Sequence, residues 1–371
     1  MGQEDGTGHT PKPILDGTGQ MGQDTHPNQS YDAEASAYSI YSIIPKLPER
    51  ISACRWWCVS HHRHMATPRS QLIDPEFPLH YHLISRCVRR SWLCGRDRRT
   101  GKDYNHRKSW LKERMLHLAR YFAVEIDAFT IMDNHFHLVV YFDPGECARW
   151  SDSEVAYRWS EAFPAKHASK GPDEAAFLKA MQREALMGQP LQLEHCRKTL
   201  GSVSAFMKHL KQPIAWRANR EDKCTGHFFE GRFYSGALLS EDAVLAAMAY
   251  VDLNPVRAKL ARSIEQCSDS SIVMRLRVTA NSKARLSALL TPLVSGISES
   301  APRLSLSLQD YCERLKVLIH HEDDSNEQAE STWFNRVASF RKKQRAYGLL
   351  TELEDWGLRR GWRRCGTAMS G

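Results

Sequence analysis

Residues 124–142 constrain this chain more than any other stretch. Two short β-like runs, Val124 to Met132 and His135 to Phe142, flank Asp133-Asn134, a pair that readily takes the geometry of a tight hairpin turn. The arrangement predicts a β-hairpin. Alternation along the second strand puts His135 and His137 side by side and turns Phe136 to the other face. Two imidazoles on one face can share a metal ion; they can equally be ordinary sheet histidines with hydrogen-bonded rings.

Neighbouring patterns supply the rest of a sheet. Tyr81 to Val88 alternates as a strand, with Tyr81, Leu83, Ser85 and Cys87 on one side and His82, Ile84, Arg86 and Val88 on the other. Over residues 104–122, Leu111, Met115, Leu118 and Phe122 form one apolar helical stripe that should pack on that sheet. Residues 145–220 are polar and helix-patterned, with stripes at Phe177, Met181 and Leu186 and at Val203, Phe206 and Leu210, and read as a helical insertion and connection. Phe228 to Leu239 reads as a strand interrupted by Gly231 and Gly236, followed by Ser240 as N-cap of a helix that Pro255 ends or kinks.

Composition bounds the class. At roughly 150 residues per domain, 371 residues suggest two or three domains, and 42% hydrophobic with 25% charged residues is the profile of a folded globular chain. No run of about 18 apolar residues occurs and no basic segment leads into an apolar one at the start, which argues against membrane spanning and secretion and makes the cytoplasm the expected compartment. Ten cysteines without a C-x-x-C pair favour reduced thiols over a zinc ribbon or a disulfide scaffold. Residues 1–64 are low-complexity, hold six of the 21 glycines within the first 22 positions, and are expected to be disordered. They carry five basic against seven acidic residues, leaving 46 against 36 for the remaining chain. Cys54, Cys58, His61, His62 and His64 match no common zinc spacing. Met65 opens a stretch that reads as a fresh N-terminus, and residues 266–371 read as a separate helical, basic extension.

A second segment bears on the histidines. In Tyr250-Val251-Asp252-Leu253-Asn254-Pro255, helical spacing puts Val244, Leu245, Met248 and Val251 on one apolar stripe and Tyr250 and Asn254 together on another face, beside Ala243, Ala246 and Ala247. Such a face can line a cleft, with Tyr250 as nucleophile and the Asn254 oxygen as metal ligand. The alternative is a half-buried tyrosine with an asparagine capping the helix end.

Taken in order, YHLISRCVRR, MDNHFHLVV, GHFFEGRFYS and YVDLNPVRAKL resemble the single-tyrosine HUH transposases of insertion sequences, especially their REP-associated branch. The likeness spans roughly residues 75–265 and leaves the first 64 and last 100 unread. It implies an α+β fold, a small antiparallel ferredoxin-like sheet with helices on one face, as the catalytic domain at 65–265; the helical insertion at about 145–220 exceeds the family's compact core. It further implies His135, His137 and Asn254 as ligands of Mg²⁺ or Mn²⁺ and Tyr250 as the nucleophile that forms a 5′-phosphotyrosine. The partner would be single-stranded or hairpin DNA, with REP-like repeats as one case, acted on by a monomer or homodimer in the nucleoid.

Basic residues should line such a site. Arg86 to Lys108 holds nine Lys or Arg against two Asp, with Trp92 and Tyr104 interleaved, which fits phosphate contact plus stacking or simply a solvated loop. Arg86, Arg89, Arg90, Arg232 and Arg257 are the candidate nucleic-acid contacts. Arg336 to Arg364 holds nine basic against three acidic residues and either grips a DNA stem or packs as a helical cap. Two other readings use the same residues: a non-catalytic, domesticated protein that binds structured nucleic acid, and a structural zinc site built on His135 and His137.

Overall fold

The computed structural model describes residues 68–88, 91, 94–97, 100–164, 171–279, 282–298, 304–323 and 332–361, all within one compact unit. The segment 1–64, with its cysteines and histidines, and Met65 lie outside the described residues, as do Arg89, Arg90 and Trp92. No helix among the described residues is long and apolar enough to cross a membrane.

The N-terminal half runs α1 (Arg69–Leu72), β1 (Leu79–Arg86), α2 (His106–Ala119), β2 (Val124–Ile131) and β3 (His135–Phe142). Helices α3 (Glu146–Arg149), α4 (Asp152–Ala162), α5 (Pro172–Met187), α6 (Pro190–Leu200) and α7 (Val203–Glu221) lead to β4 (Tyr234–Leu238) and α8 (Glu241–Asp252). Then come α9 (Asn254–Arg257), α10 (Ser271–Thr279), α11 (Lys283–Leu286), β5 (Val294–Ser295), α12 (Leu308–Asp323), α13 (Thr332–Ser339), β6 (Ala346–Tyr347) and α14 (Leu350–Arg359).

The fold is α+β, with one sheet in the order β5-β2-β3-β1-β4-β6. Its inner four strands are all antiparallel, and with α2 and α7 they make the β-α-β-β-α-β unit of a ferredoxin-like core. The hairpin forms where Asp133-Asn134 turns, closed by Met132 N–H donating to His135 O at 2.8 Å. Leu111, Met115 and Leu118 of α2 and Phe206 and Leu210 of α7 pack on one sheet face against Leu83, Phe136, Leu138 and Val140. The two helices of the core thus share a face, as expected. The opposite face is also covered: α8 lies on Ala128, Val139 and Leu238, backed by Ile272, Tyr311, Leu315 and Phe340. The C-terminal residues that the sequence set apart therefore complete this layer and add both edge strands, β5 on β2 and β6, parallel, on β4.

Three local expectations change. Only Tyr234–Leu238 of the run from Phe228 is a strand; before Gly231 the chain meets the end of β1 at an isolated bridge between Cys87 and Phe229, carried by Glu230 N–H to Arg86 O and Val88 N–H to Phe228 O. Ser240 occupies the N-cap of α8 with extended backbone, yet its side chain makes no capping bond, leaving Glu241 and Asp242 to complement the helix dipole. Phe177 and Met181 face solvent, because α5 docks on α4 through Lys179 and Arg183 to Glu161, each at 2.6 Å, and through Gln182 to Phe163 O.

Two features fix the elements around the sheet centre. Pro213 inside α7 cannot donate to the carbonyl of His209, and that oxygen accepts instead from Arg114 Nε of α2 at 3.4 Å. Asp252 is fully buried at the end of α8, where its carboxylate accepts from Ser271 Oγ, Ile272 N–H and Tyr311 Oη, tying α8 to α10 and α12. Gly236 in β4 allows β6 its approach. A Cβ there would sit 2.5 Å from Tyr234 Oη, 2.8 Å from Tyr347 Cε2 and 2.9 Å from Gln344 O. Gly236→Ala should therefore push β6 outward and lose about 1–3 kcal/mol of stability, read as a lower urea midpoint at unchanged slope.

Candidate active site

The β1–β3 register decides which side chains meet. Opposite residues of a ladder share a face, so the pairs Arg86↔His135, Ile84↔His137 and Thr130↔His137 gather on the α8 side of the sheet. His137 is buried and His135 half-buried, with ring centroids 4.9 Å apart. The structure brings Tyr250 to within 5.7 Å of the His137 ring, centroid to centroid, and Asn254 Nδ2 to 3.4 Å from His137 Nε2. All four residues expected from the hairpin and the tyrosine helix thus lie together, although α8 ends at Asp252 and Asn254 opens the short helix α9.

A third histidine belongs to the cluster. His82 of β1 is fully buried, its Nε2 is 2.9 Å from His137 Nδ1, and the two rings stack at 5.1 Å with 16° between planes. Tyr234, Tyr250 and Phe340 present edges around it at 6.0, 5.9 and 5.6 Å. Alternation had already put His82 on the side of Ile84 and Arg86; nothing in the one-dimensional pattern says that this side faces Tyr250.

The hydrogen bonds assign tautomers. His135 Nδ1 lies 2.6 Å from Asn134 Oδ1, a pure acceptor, so this nitrogen carries the proton and Nε2 keeps its lone pair. In His137, Nε2 faces the Asn254 amide N–H and must accept, which leaves Nδ1–H to donate to His82 Nε2. Each ring is thereby held through Nδ1 and keeps a lone pair on Nε2, that of His137 being taken up by the Asn254 amide N–H until the amide turns. Turning the Asn254 amide would add an oxygen to the set. Among the described residues, no group of three or more His, Cys, Asp or Glu is placed to hold a metal.

Charge follows from burial. Desolvation pushes His82 down to about 3 and His135 down to about 4, with Arg86 and Lys343 adding to the fall at His135; His137 drops well below the usual value for the same reason, reinforced by His135 and His82. All three imidazoles are neutral at pH 7. Burial raises the Tyr250 hydroxyl, opposed by the charges of Arg257, Arg86 and Arg341 and by its hydrogen bond with Asn254. The Arg257 guanidinium lies 5.2 Å over the Tyr250 ring. Lys343 Nζ lies 5.5 Å over the Tyr234 ring, and Phe340 packs on Tyr250 at 5.9 Å.

The remaining basic residues divide. Arg86 and Arg257 join the cluster, whereas Arg232 is exposed in a groove beside α7. In the basic loop, Arg107 is fully buried and paired with Glu221 and Asp222, and Lys108 with Asp133, so these two serve the fold rather than a phosphate. In the C-terminal segment Arg336 pairs with Asp242 and Arg360 with Asp74, while Trp356 and Phe340 are buried, which is the packed-cap alternative. Arg341 and Lys343 from the same segment reach the cluster and were missed.

No family model matches the chain, and no curated protein matches it. A comparison with solved structures finds a REP-associated tyrosine transposase bound to a REP hairpin, 11% identical, with a TM-score of 0.33 over 59% of this chain and 86% of that one.

His82→Phe removes the acceptor of the buried His137 Nδ1–H. It should cost about 1–3 kcal/mol in urea unfolding. The imidazole ¹⁵N shifts of His137 should change from a single Nδ1–H tautomer in the parent to a mixture in the variant.

Proposed function

We propose that this protein cleaves and rejoins single-stranded DNA, with Tyr250 as nucleophile and hairpin-containing DNA as substrate, a transposase-type activity of the nucleoid. The observation that carries the reading is the placement of Tyr250, whose hydroxyl hydrogen-bonds with Asn254, beside the neutral His137 ring at 5.7 Å, with His135 next to it and a lone pair kept on each Nε2, that of His137 facing the Asn254 amide. A second observation supports a phosphate as the reacting group: the charges of Arg257, Arg86 and Arg341 all act on Tyr250.

Residues His135, His137 and Asn254 would hold a divalent ion, Mg²⁺ or Mn²⁺ on the likeness of the motifs. The surrounding cations leave little room for a permanently bound metal without a phosphate to share it. When bound, the ion would polarise the scissile phosphate and stabilise its developing charge.

The chain's own groups account for the remaining chemistry. Tyr250 Oη attacks phosphorus, the bond to the 3′ oxygen breaks, and the tyrosine proton passes through solvent to the departing 3′-OH. The product is a 5′-phosphotyrosine, which conserves the phosphodiester bond energy and returns it when a new 3′-OH attacks. Arg257, stacked against the ring, and Arg86, opposite His135, stabilise the phenolate that this step needs. Phe340 and Tyr234 exclude water behind the histidines.

Incubating the full chain with labelled single-stranded hairpin DNA and Mn²⁺ should give a protein–DNA band that survives denaturation. Tyr250→Phe should abolish the band and leave binding within about threefold of the parent, since the ring remains. Cleavage that persists in Tyr250→Phe removes Tyr250 from the mechanism. Binding without an adduct across hairpin substrates leaves a nucleic-acid-binding protein.

A further inference from the structure

A groove of about 640 Å³ lies between α7 and the extended segment 226–233, apart from the histidine cluster. Helical spacing builds its first wall: Lys208, Lys211, Gln212, Ala215, Trp216 and Asn219 recur on one face of α7, opposite the buried stripe of Phe206, Leu210 and Ile214. Arg69 lines it from α1, with its guanidinium 3.6 Å over the Phe233 ring. Lys211 Nζ donates to Gly231 O at 3.3 Å and lies 5.2 Å over the Phe229 ring.

The lining holds four cations, Arg69, Lys208, Lys211 and Arg232, against the single carboxylate of Glu230. Burial, with a smaller contribution from the Arg69 charge, brings the Lys211 ammonium down to about 8. Between these cations Trp216 is 63% exposed, a large indole that the core does not use. Cations that exceed the carboxylates around them call for an anion; an exposed ring among them calls for a flat partner. Lys208 and Trp216 are eight residues apart, about 12 Å along the helix, which matches three or four stacked nucleotides at about 3.4 Å each.

We infer that this groove binds a short run of single-stranded nucleic acid, with phosphates on Lys208, Lys211 and Arg232 and a base stacked on Trp216. The inference rests on the proposed function in taking this run to belong to the strand that Tyr250 cuts. The wall provides the continuity: Glu230 N–H donates to Arg86 O at 2.8 Å and Val88 N–H to Phe228 O at 3.1 Å, so the groove adjoins the end of β1, where Arg86 stands opposite His135. An acidic peptide would satisfy the cations and leave Trp216 without a stacking partner.

The test is fluorescence anisotropy of a labelled oligothymidylate of about 16 nucleotides, titrated with the full chain carrying Tyr250→Phe so that no turnover occurs. Trp216→Ala should weaken binding at least about tenfold, while Trp216→Phe, which keeps a stacking face, should recover most of the loss. Lys208→Gln combined with Lys211→Gln should reduce the salt slope by about 1.4, and unchanged unfolding midpoints establish that the variants are folded. Parental affinity and slope in these variants, or displacement by polyglutamate as effective as by unlabelled oligonucleotide, would overturn the groove. The adduct assay on chains retaining Tyr250 keeps the two readings separate. An adduct formed by groove variants that also bind like the parent removes the groove alone; groove-dependent binding with no adduct in any chain supports the groove and removes the catalytic reading.

Discussion

The antiparallel pairing of β1 with β3, eight residue pairs from Leu79↔Phe142 to Arg86↔His135, is the constraint on which the rest depends. Side chains alternate with a period of two, so a slip of one residue in this pairing would invert one strand against the other, turning either His82 and Arg86 or His135 and His137 toward the helices α2 and α7 and parting the cluster. The hairpin turn fixes one side of β3 and the β4 ladder fixes β1 from the other. Burial on both faces then leaves no tolerance: Leu83, Leu138, Val139 and Val140 are completely inaccessible. The chemical cluster is therefore held by the same contacts that hold the core.

One electrostatic field serves two ends there. Burial is the main reason that protons are disfavoured on the histidines; Arg86 and Lys343 add to it and would at the same time favour an anion there, so the imidazoles keep their lone pairs near neutral pH. A carboxylate in the same place would reverse both effects. The cost is carried by burial of polar groups: His82 Nδ1 has no hydrogen-bond partner among the described residues and is surrounded instead by three aromatic rings.

Sequence showed the strands best where turn chemistry and alternation agreed, as at Asp133-Asn134, and it placed Tyr250 and Asn254 on one face because a single helical turn separates them. It could not show that His82 meets His137, since that contact depends on strand order rather than spacing. Phe340, Arg341 and Lys343 lie some 90 residues beyond Tyr250, and no local pattern ties a basic C-terminal run to a sheet edge. The stripe Phe177 and Met181 misled for the opposite reason: helical periodicity was present, but three polar contacts to α4 decided which face was buried. Pairwise ion contacts likewise divided the basic loop into structural residues such as Arg107 and residues at the cluster such as Arg86, which a charge count treats alike.

The edge strand β6 has a consequence for how this chain is made. Synthesis proceeds from the N-terminus, and the hairpin, α7, β4 and α8 all leave the ribosome before residues 340–347 exist. For about 90 residues of elongation, His82 and Tyr250 lack the Phe340 ring that packs on both, and β4 has an open edge. The nascent protein thus carries Tyr250 in a wetter, less enclosed setting than the finished one. Synthesis of residues 340–347 closes that pocket.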